Sequence, residues 1–276
     1  MQFMRILACQ IDIPDISTPR QRDEHVAHIN DTLLKEYRDS AGADLIVLPE
    51  LSTISYNDST FAELEHLSET LDGPSVQQFS KTARDLGVPI CFGLPRKETG
   101  QVRISQLVVD AEGNVGGHYD KLHLAHFGDS PEKKYFSPGN HLCVFEAGGL
   151  RIAPIICYDF RFPDLIQTLC QTHHVDLILH PVAFSRDATF ESWHSFVMTR
   201  AQENQVYFLS LNRAGPDFGM SIFSPPWVDK GSRPVVFDTR ECFQIVETDE
   251  ALVRDIRTRF PYRKDQLDDY QKLDVV

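Results

Sequence analysis

The chain has 276 residues, of which 42% are hydrophobic and 24% charged, and its formal net charge is −13. That mixture is globular and far from the low-hydrophobicity composition of disordered chains. The negative balance argues against nucleic acid and acidic membrane surfaces as partners, because phosphate binding depends on Lys and Arg.

In chain order, residues 5–13 read as a strand and 21–38 as a helix with a polar face. Residues 44–48 are a fully apolar strand. Gly73, Pro74 and Ser75 open a helix, since Pro is favoured at a helix start and Val76, Phe79 and Ala83 recur at helical spacing. Residues 89–94 form the next strand. Strands 102–110 and 114–119 flank a hairpin turn at Ala111, Glu112 and Gly113. Further strands are expected at 142–145, 151–156, 176–179, 206–212 and 219–223, with helices at 163–173 and 190–204. Residues 233–237 and 243–247 read as a final strand pair, 250–260 as a last helix, and the rest as a charged tail on the surface. No repeat, low-complexity stretch or Gly/Ser/Pro-rich linker marks a boundary, so 1–276 reads as one domain. Alternating βαβ units with hairpins suggest two sheets packed face to face with helices outside.

No run approaches the roughly 18 apolar residues of a membrane-spanning helix. Residues 1–12 read as strand rather than as a leader. The six cysteines, at 9, 91, 143, 157, 170 and 242, contain no C-x-x-C pair, which fits a reducing, cytoplasmic setting. A cysteine taken blind is a small buried hydrophobe; Cys157 stands apart because of its position.

In open α/β sheets ligands gather beyond the carboxyl ends of strands, so the first polar residue after each apolar strand is a candidate. Glu50 follows the strand at 44–48, Lys121 the strand ending at Tyr119, and Cys157 the strand at 151–156. Together they make a hydrolase site for a carbonyl substrate. Cys157 is the nucleophile, its thiol expected to be acidified by Lys121 and by the helix near Pro163. Glu50 serves as general base and acid. Lys121 and the backbone N–H of Tyr158 hold the oxyanion.

At these residues the sequence resembles the nitrilase-like carbon–nitrogen hydrolases, whose catalytic residues are a Glu, a Lys and a Cys in that chain order. The motifs are Leu48-Pro49-Glu50-Leu51, Tyr119-Asp120-Lys121-Leu122-His123-Leu124 and Cys157-Tyr158-Asp159-Phe160-Arg161-Phe162-Pro163. Pro131-Glu132-Lys133-Lys134-Tyr135 matches the segment carrying the family's additional active-site glutamate, which assigns Glu132 as a supporting carboxylate. Trp193, the stretch 200–204 and Asn212-Arg213 match elements that support the site. The resemblance implies a four-layer α-β-β-α sandwich, a homodimer or higher homo-oligomer, and neither metal nor organic cofactor. Two stretches depart from the pattern: Gly219 to Val228, with Phe223 and Val228 in place of Ile and Gly, and the loop containing His126, Phe127, Gly128 and Asp129.

Cys-Tyr-Asp-x-Arg-Phe-Pro resembles the amidase branch, including ω-amidase and deaminated-glutathione amidase types, rather than true nitrilases. The expected substrate is therefore a small amide, with carbamoyl amines and nitriles as alternatives. A carboxylate-bearing amide needs a cation, for which Arg161, Arg186 and Arg200 are candidates; Tyr56 and Phe184 are candidate pocket walls. The eleven histidines show no H-E-x-x-H or other zinc spacing, His118, His123, His126 and His173-His174 included. A binding protein that has lost turnover and an acyl transferase are the competing readings of the same fold.

Overall fold

A computed structural model of the chain describes residues 3–126, 130–267 and 269–275. In chain order its strands are β1 (Phe3–Gln10), β2 (Leu45–Val47), β3 (Ile90–Glu98), β4 (Gln101–Val109), β5 (Val115–Asp120), β6 (Phe145–Ala147), β7 (Leu150–Pro154), β8 (Leu177–Val182), β9 (Tyr207–Asn212), β10 (Ile222–Ser224), β11 (Val235–Val236) and β12 (Cys242–Asp249). They form two six-stranded sheets, ordered β12-β1-β2-β3-β4-β5 and β11-β10-β9-β8-β7-β6. Each sheet centres on a parallel trio, β1-β2-β3 in the first and β7-β8-β9 in the second.

Period-two alternation sorts the strand residues between layers. In β1, Ile6 and Ala8 face the second sheet and pack with Leu177, Leu179 and Leu209, whereas Leu7 and Cys9 face outward onto helices. The outer face of the first sheet is covered by the helices Pro19–Asp39 and Pro74–Leu86, through Val26, Ile29, Leu33, Val76, Phe79 and Ala83. Thr18 and Gln21 close a capping box ahead of Pro19, and Gly87 ends the second helix in the left-handed region at φ 66°. Helices Pro163–Gln171 and Phe190–Asn204 cover the second sheet with Ile166, Leu169, Trp193, Val197 and Ala201. The result is the four-layer α-β-β-α sandwich. Each fully buried Leu, Ile or Phe in these layers contributes about 1.5–3 kcal/mol of burial free energy.

Three expectations are corrected. The last two strands do not pair: β11 joins β10 in the second sheet, while β12 runs antiparallel to β1 in the first. The strand expected at 142–145 begins only at Phe145, and Gly148 and Gly149, at φ 56° and 81°, turn it into β7. The strand expected from Gly219 starts at Ile222, because Gly219 and Met220 both hold positive φ and a Cβ on Gly219 would lie 2.4 Å from Thr239 Cα. The tail lies partly against the helices, with Arg263 donating to the Asn204 carbonyl and Gln171 to Gln266. Among the described residues no helix is long and apolar enough to cross a membrane.

Candidate active site

The carboxyl ends of β2, β5, β7, β8 and β9 meet at one edge of the sandwich, and each delivers part of the site. Beyond β2 the chain passes so close over β3 that a Cβ on Gly93 would fall 2.4 Å from the Leu51 nitrogen. Ser52 Oγ bonds both the Gly93 N–H and its carbonyl at 3.0 Å. Leu51 accepts φ 48° in this turn, and Glu50 is thereby pointed inward with no exposed surface. Lys121 leaves β5 with its N–H on the Ile104 carbonyl and its own carbonyl on the Gly139 N–H.

Cys157 follows β7 and opens the 3₁₀ turn Cys157–Arg161 at φ 45°, a conformation costly for a residue with a Cβ. Its backbone is held from behind. The Cys157 carbonyl accepts from His180 Nε2 at 2.8 Å, so His180 Nδ1 must accept from Ser210 Oγ, also at 2.8 Å. Ser210 Oγ in turn accepts from Trp193 Nε1 at 2.9 Å. Burial pushes His180 down to about 3, which keeps the imidazole neutral and this chain of donors intact. Asp159 ties the same turn to the Lys121 segment. Its carboxylate accepts from Tyr119 Oη at 2.8 Å, the Ile156 N–H at 3.1 Å, and the His123 N–H and Nδ1 at 2.9 and 2.7 Å.

Lys121 Nζ lies between two carboxylates, 2.8 Å from Glu50 Oε1 and 2.6 Å from Glu132 Oε1, and all three side chains are 0% exposed. The remaining lone pairs are taken. Glu50 Oε2 accepts the Ala183 N–H at 2.8 Å, Glu132 Oε2 accepts the Ala125 N–H at 2.7 Å, and Tyr56 Oη donates to Glu132 Oε1 at 2.6 Å. Burial disfavours the Lys121 ammonium, yet the two carboxylates outweigh it and hold its proton more tightly than usual. Burial raises the Glu50 carboxyl, with Lys121 opposing.

The expected acidification of Cys157 is overturned. Burial and the Glu50 charge push the thiol well above its ordinary value despite Lys121. The helix at Pro163 is separated from Cys157 along the chain by the 3₁₀ turn Cys157–Arg161. Cys157 therefore rests as a thiol.

The sulfur forms the floor of a cavity of about 500 Å³ walled by Tyr56, Tyr158, Arg161, Phe184, Arg186 and Phe218, among others. Tyr56 lines it while also bonding Glu132. Arg161 points its guanidinium over Phe196 at 4.4 Å and reaches only Ser192 Oγ, at 3.4 and 3.5 Å, with no carboxylate at ion-pair distance among the described residues. Arg186 lies at the mouth, tied to the Pro216 and Phe218 carbonyls. Arg200 is not at the pocket: it bonds the Phe160 carbonyl and Glu203. Residues 127–129 of the atypical loop lie outside the described residues. His118, Asp120 and His141 come within 4.8 Å of one another, but Asp120 is committed to Arg96 at 2.6 and 3.1 Å, and that guanidinium opposes a cation there.

Three contributors escaped the reading of the sequence as functional side chains: His180, Asp159 and Arg213. His180 is the lone ring nitrogen pair within the otherwise apolar Leu177–Val182 strand, which was the signal available. Arg213, beyond β9, is buried with its Nη2 facing the backbone carbonyls of Glu50, Leu51 and Ile54.

Residues 5–234 match the profile of the carbon–nitrogen hydrolases. The chain is 30% identical to a nitrilase of Pyrococcus abyssi over 82% of its own length and 84% of that protein. It is 34% identical to the 2-oxoglutaramate amidase of Bacillus subtilis, over 69% of this chain and 73% of that one. Its fold superposes with a TM-score of 0.81 on a carbon–nitrogen hydrolase superfamily protein from Xanthomonas campestris, at 24% identity and covering 98% of this chain and 99% of that chain.

Proposed function

The chain belongs to the carbon–nitrogen hydrolase family, and from that premise we propose that it hydrolyses a small carboxylate-bearing amide through a thioester on Cys157. The observation that carries this reading is the buried Glu50–Lys121–Glu132 triad behind a cysteine on a cavity floor. Burial raises both the thiol and Glu50, so the resting thiol keeps its proton until the base beside it takes it. Glu50 takes the thiol proton as sulfur attacks the amide carbon. The oxyanion is met by Lys121 Nζ and the Tyr158 N–H in a dry setting where such donors are strongest. Glu50 then gives the proton to the departing nitrogen, ammonia leaves, and a thioester remains. Water, deprotonated by Glu50, cleaves the thioester to the carboxylic acid and restores the thiol.

The amidase reading is supported by the 2-oxoglutaramate amidase relative and by Arg161, a half-buried cation on the cavity wall with no acidic partner among the described residues. A planar guanidinium binds a carboxylate through two parallel hydrogen bonds. Glu132 holds Lys121 in register, and Tyr56 and Phe184 shape the wall. We further read the protein as cytoplasmic, supported by six unpaired cysteines, and as a homodimer. The test is ammonia release from a panel of ω-amides, carbamoyl amines and nitriles by the native protein and Cys157→Ala. Cysteine-dependent release from carboxylate-bearing amides is expected. Transfer to hydroxylamine without hydrolysis would point to acyl transfer, and silence on every compound to a binding protein.

A further inference from the structure

Among the described residues, Arg213 is a charge without an ion-pair partner at the back of the site. It is 3% exposed, its Nη2 lies 3.1, 3.4 and 3.3 Å from the carbonyl oxygens of Glu50, Leu51 and Ile54, and its Nε has no partner. Its guanidinium lies 5.9 Å from the ring centre of Tyr56 and 5.5 Å from that of Phe218. Among the described residues no carboxylate comes within ion-pair distance of it. Burying a cation on neutral carbonyls is expensive, and a neutral donor would suffice to hold a loop.

The charges of the floor explain the choice. By formal charge Glu50 and Glu132 are two anions against the single cation Lys121, so the triad counted alone is a net anion. Arg213 brings the sum to zero. We propose that Arg213 is the positioning residue of Glu50: it pins the backbone of residues 50–54 through three carbonyls and adds, after Lys121, a second positive charge that favours the ionised Glu50 carboxylate. This rests on Glu50 acting as the base.

The groups facing Glu50 are Lys121 beyond β5, Glu132 from the short helix Glu132–Tyr135, the Cys157 thiol, the Ala183 N–H beyond β8, and Arg213 beyond β9. Tyr56 faces both Glu132 and Arg213, while Asp12 and His25 also interact electrostatically with Arg213. Of these, only Lys121 and Arg213 are cations at neutral pH, because burial pushes His25 down to about 4. The influence is reciprocal: burial lowers Arg213 to about 10, and Glu50 is the foremost group opposing that loss.

The test is the pH profile of kcat/KM for the native protein, Arg213→Met, Arg213→Gln and Arg213→Lys, with Glu50→Gln alongside. The acid limb reports ionisation of the base in the free enzyme. The neutral variants should move that limb upward by about one pH unit or more, a tenfold loss per unit on its acid side. Arg213→Lys should return it to within about half a unit of native while losing part of kcat, since an ammonium lacks the planar fork. A clamp without an electrostatic role would lower kcat in all three and leave the limb unmoved, and that outcome overturns the proposal. Should neither neutral variant fold, infrared difference spectra between native protein and Glu50→Gln decide it. An ionised carboxylate band at pH 6.5, retained in Arg213→Lys, is required; a protonated carboxyl band overturns it. Normal turnover by Glu50→Gln would instead sink the base assignment itself, and Arg213's role with it.

Discussion

The floor of the cavity and its mouth are built on opposite principles. At the floor, Glu50, Lys121 and Glu132 have no exposed surface, and every carboxylate oxygen has a partner. The groups behind Cys157 are fixed by strand ends, by glycines that admit close backbone passage, and by the neutral His180–Ser210–Trp193 chain. At the mouth, Ser185, Arg186 and Asp217 are exposed, and Arg161 stands over an aromatic ring without an acidic partner among the described residues. A fully satisfied, dry floor is preorganised to do one reaction. The more exposed groups above it are free to choose which molecule undergoes that reaction. Changes at the floor should therefore act on turnover with every substrate, and changes at the mouth on some substrates only.

The largest effect belongs to Cys157→Ala, expected to cost about 10⁴-fold or more in kcat on every amide with thermal stability near native, because only a sulfur that faces the cavity is removed. Residual activity within tenfold of native would break the assignment. Lys121→Ala follows. It should lose about 10²–10³-fold in kcat for want of an oxyanion donor. Unlike the cysteine change, it should also destabilise the fold by about 3–5 kcal/mol, because two buried carboxylates are left facing each other. Denaturant unfolding separates the two variants. Equal stability would mean that the carboxylates are less enclosed than the geometry states.

Arg161→Met sharpens the contrast from the other side. It should raise KM for a carboxylate-bearing amide by about 10–100-fold, the range of a charge-assisted hydrogen bond. A neutral amide of equal length should be hydrolysed as before. Equal losses on both substrates would move Arg161 from the mouth to the floor.

The same contrast explains what the sequence discloses. Glu50, Lys121 and Cys157 are legible because each follows an apolar strand, and strand ends are set by local pattern. Glu132 sits in the four-residue helix Glu132–Tyr135, too short to carry a period, and only the motif resemblance finds it. The direction of the Cys157 shift is not legible in the sequence, because proximity to a lysine follows from the strand ends whereas the depth of burial that outweighs it does not. Arg213 was matched to a supporting strand, but its burial against three carbonyls depends on a turn some 160 residues earlier. The mispaired β11 and β12 fail for a related reason. Neighbours in sequence were taken for neighbours in space, while β12 finds its partner in β1 at the other end of the chain.

The smallest predicted effect concerns the support beneath the floor. His25 Nε2 lies 3.1 Å from the Ser52 carbonyl, and that carbonyl can only accept, so the neutral ring carries its proton on Nε2. Burial lowers His25 from 6.5 to about 4, the Ser52 carbonyl opposing and Arg213 adding to the effect. A histidine whose folded value is depressed binds more protons when unfolded. Its contribution is thus fully present above pH 6.5 and is lost as pH falls toward 4, at about 1.4 kcal/mol per pH unit at most. His25→Gln keeps a donor for Ser52 and cannot titrate. It should be less stable than native by about 1 kcal/mol at pH 7.5, with the gap closing and then reversing as pH is lowered to 4.5, while KM for neutral and carboxylate-bearing amides stays the same. Parallel stability curves for the two proteins across that range would mean that His25 titrates as if solvated, and the enclosure of the Glu50 turn from behind would have to be abandoned.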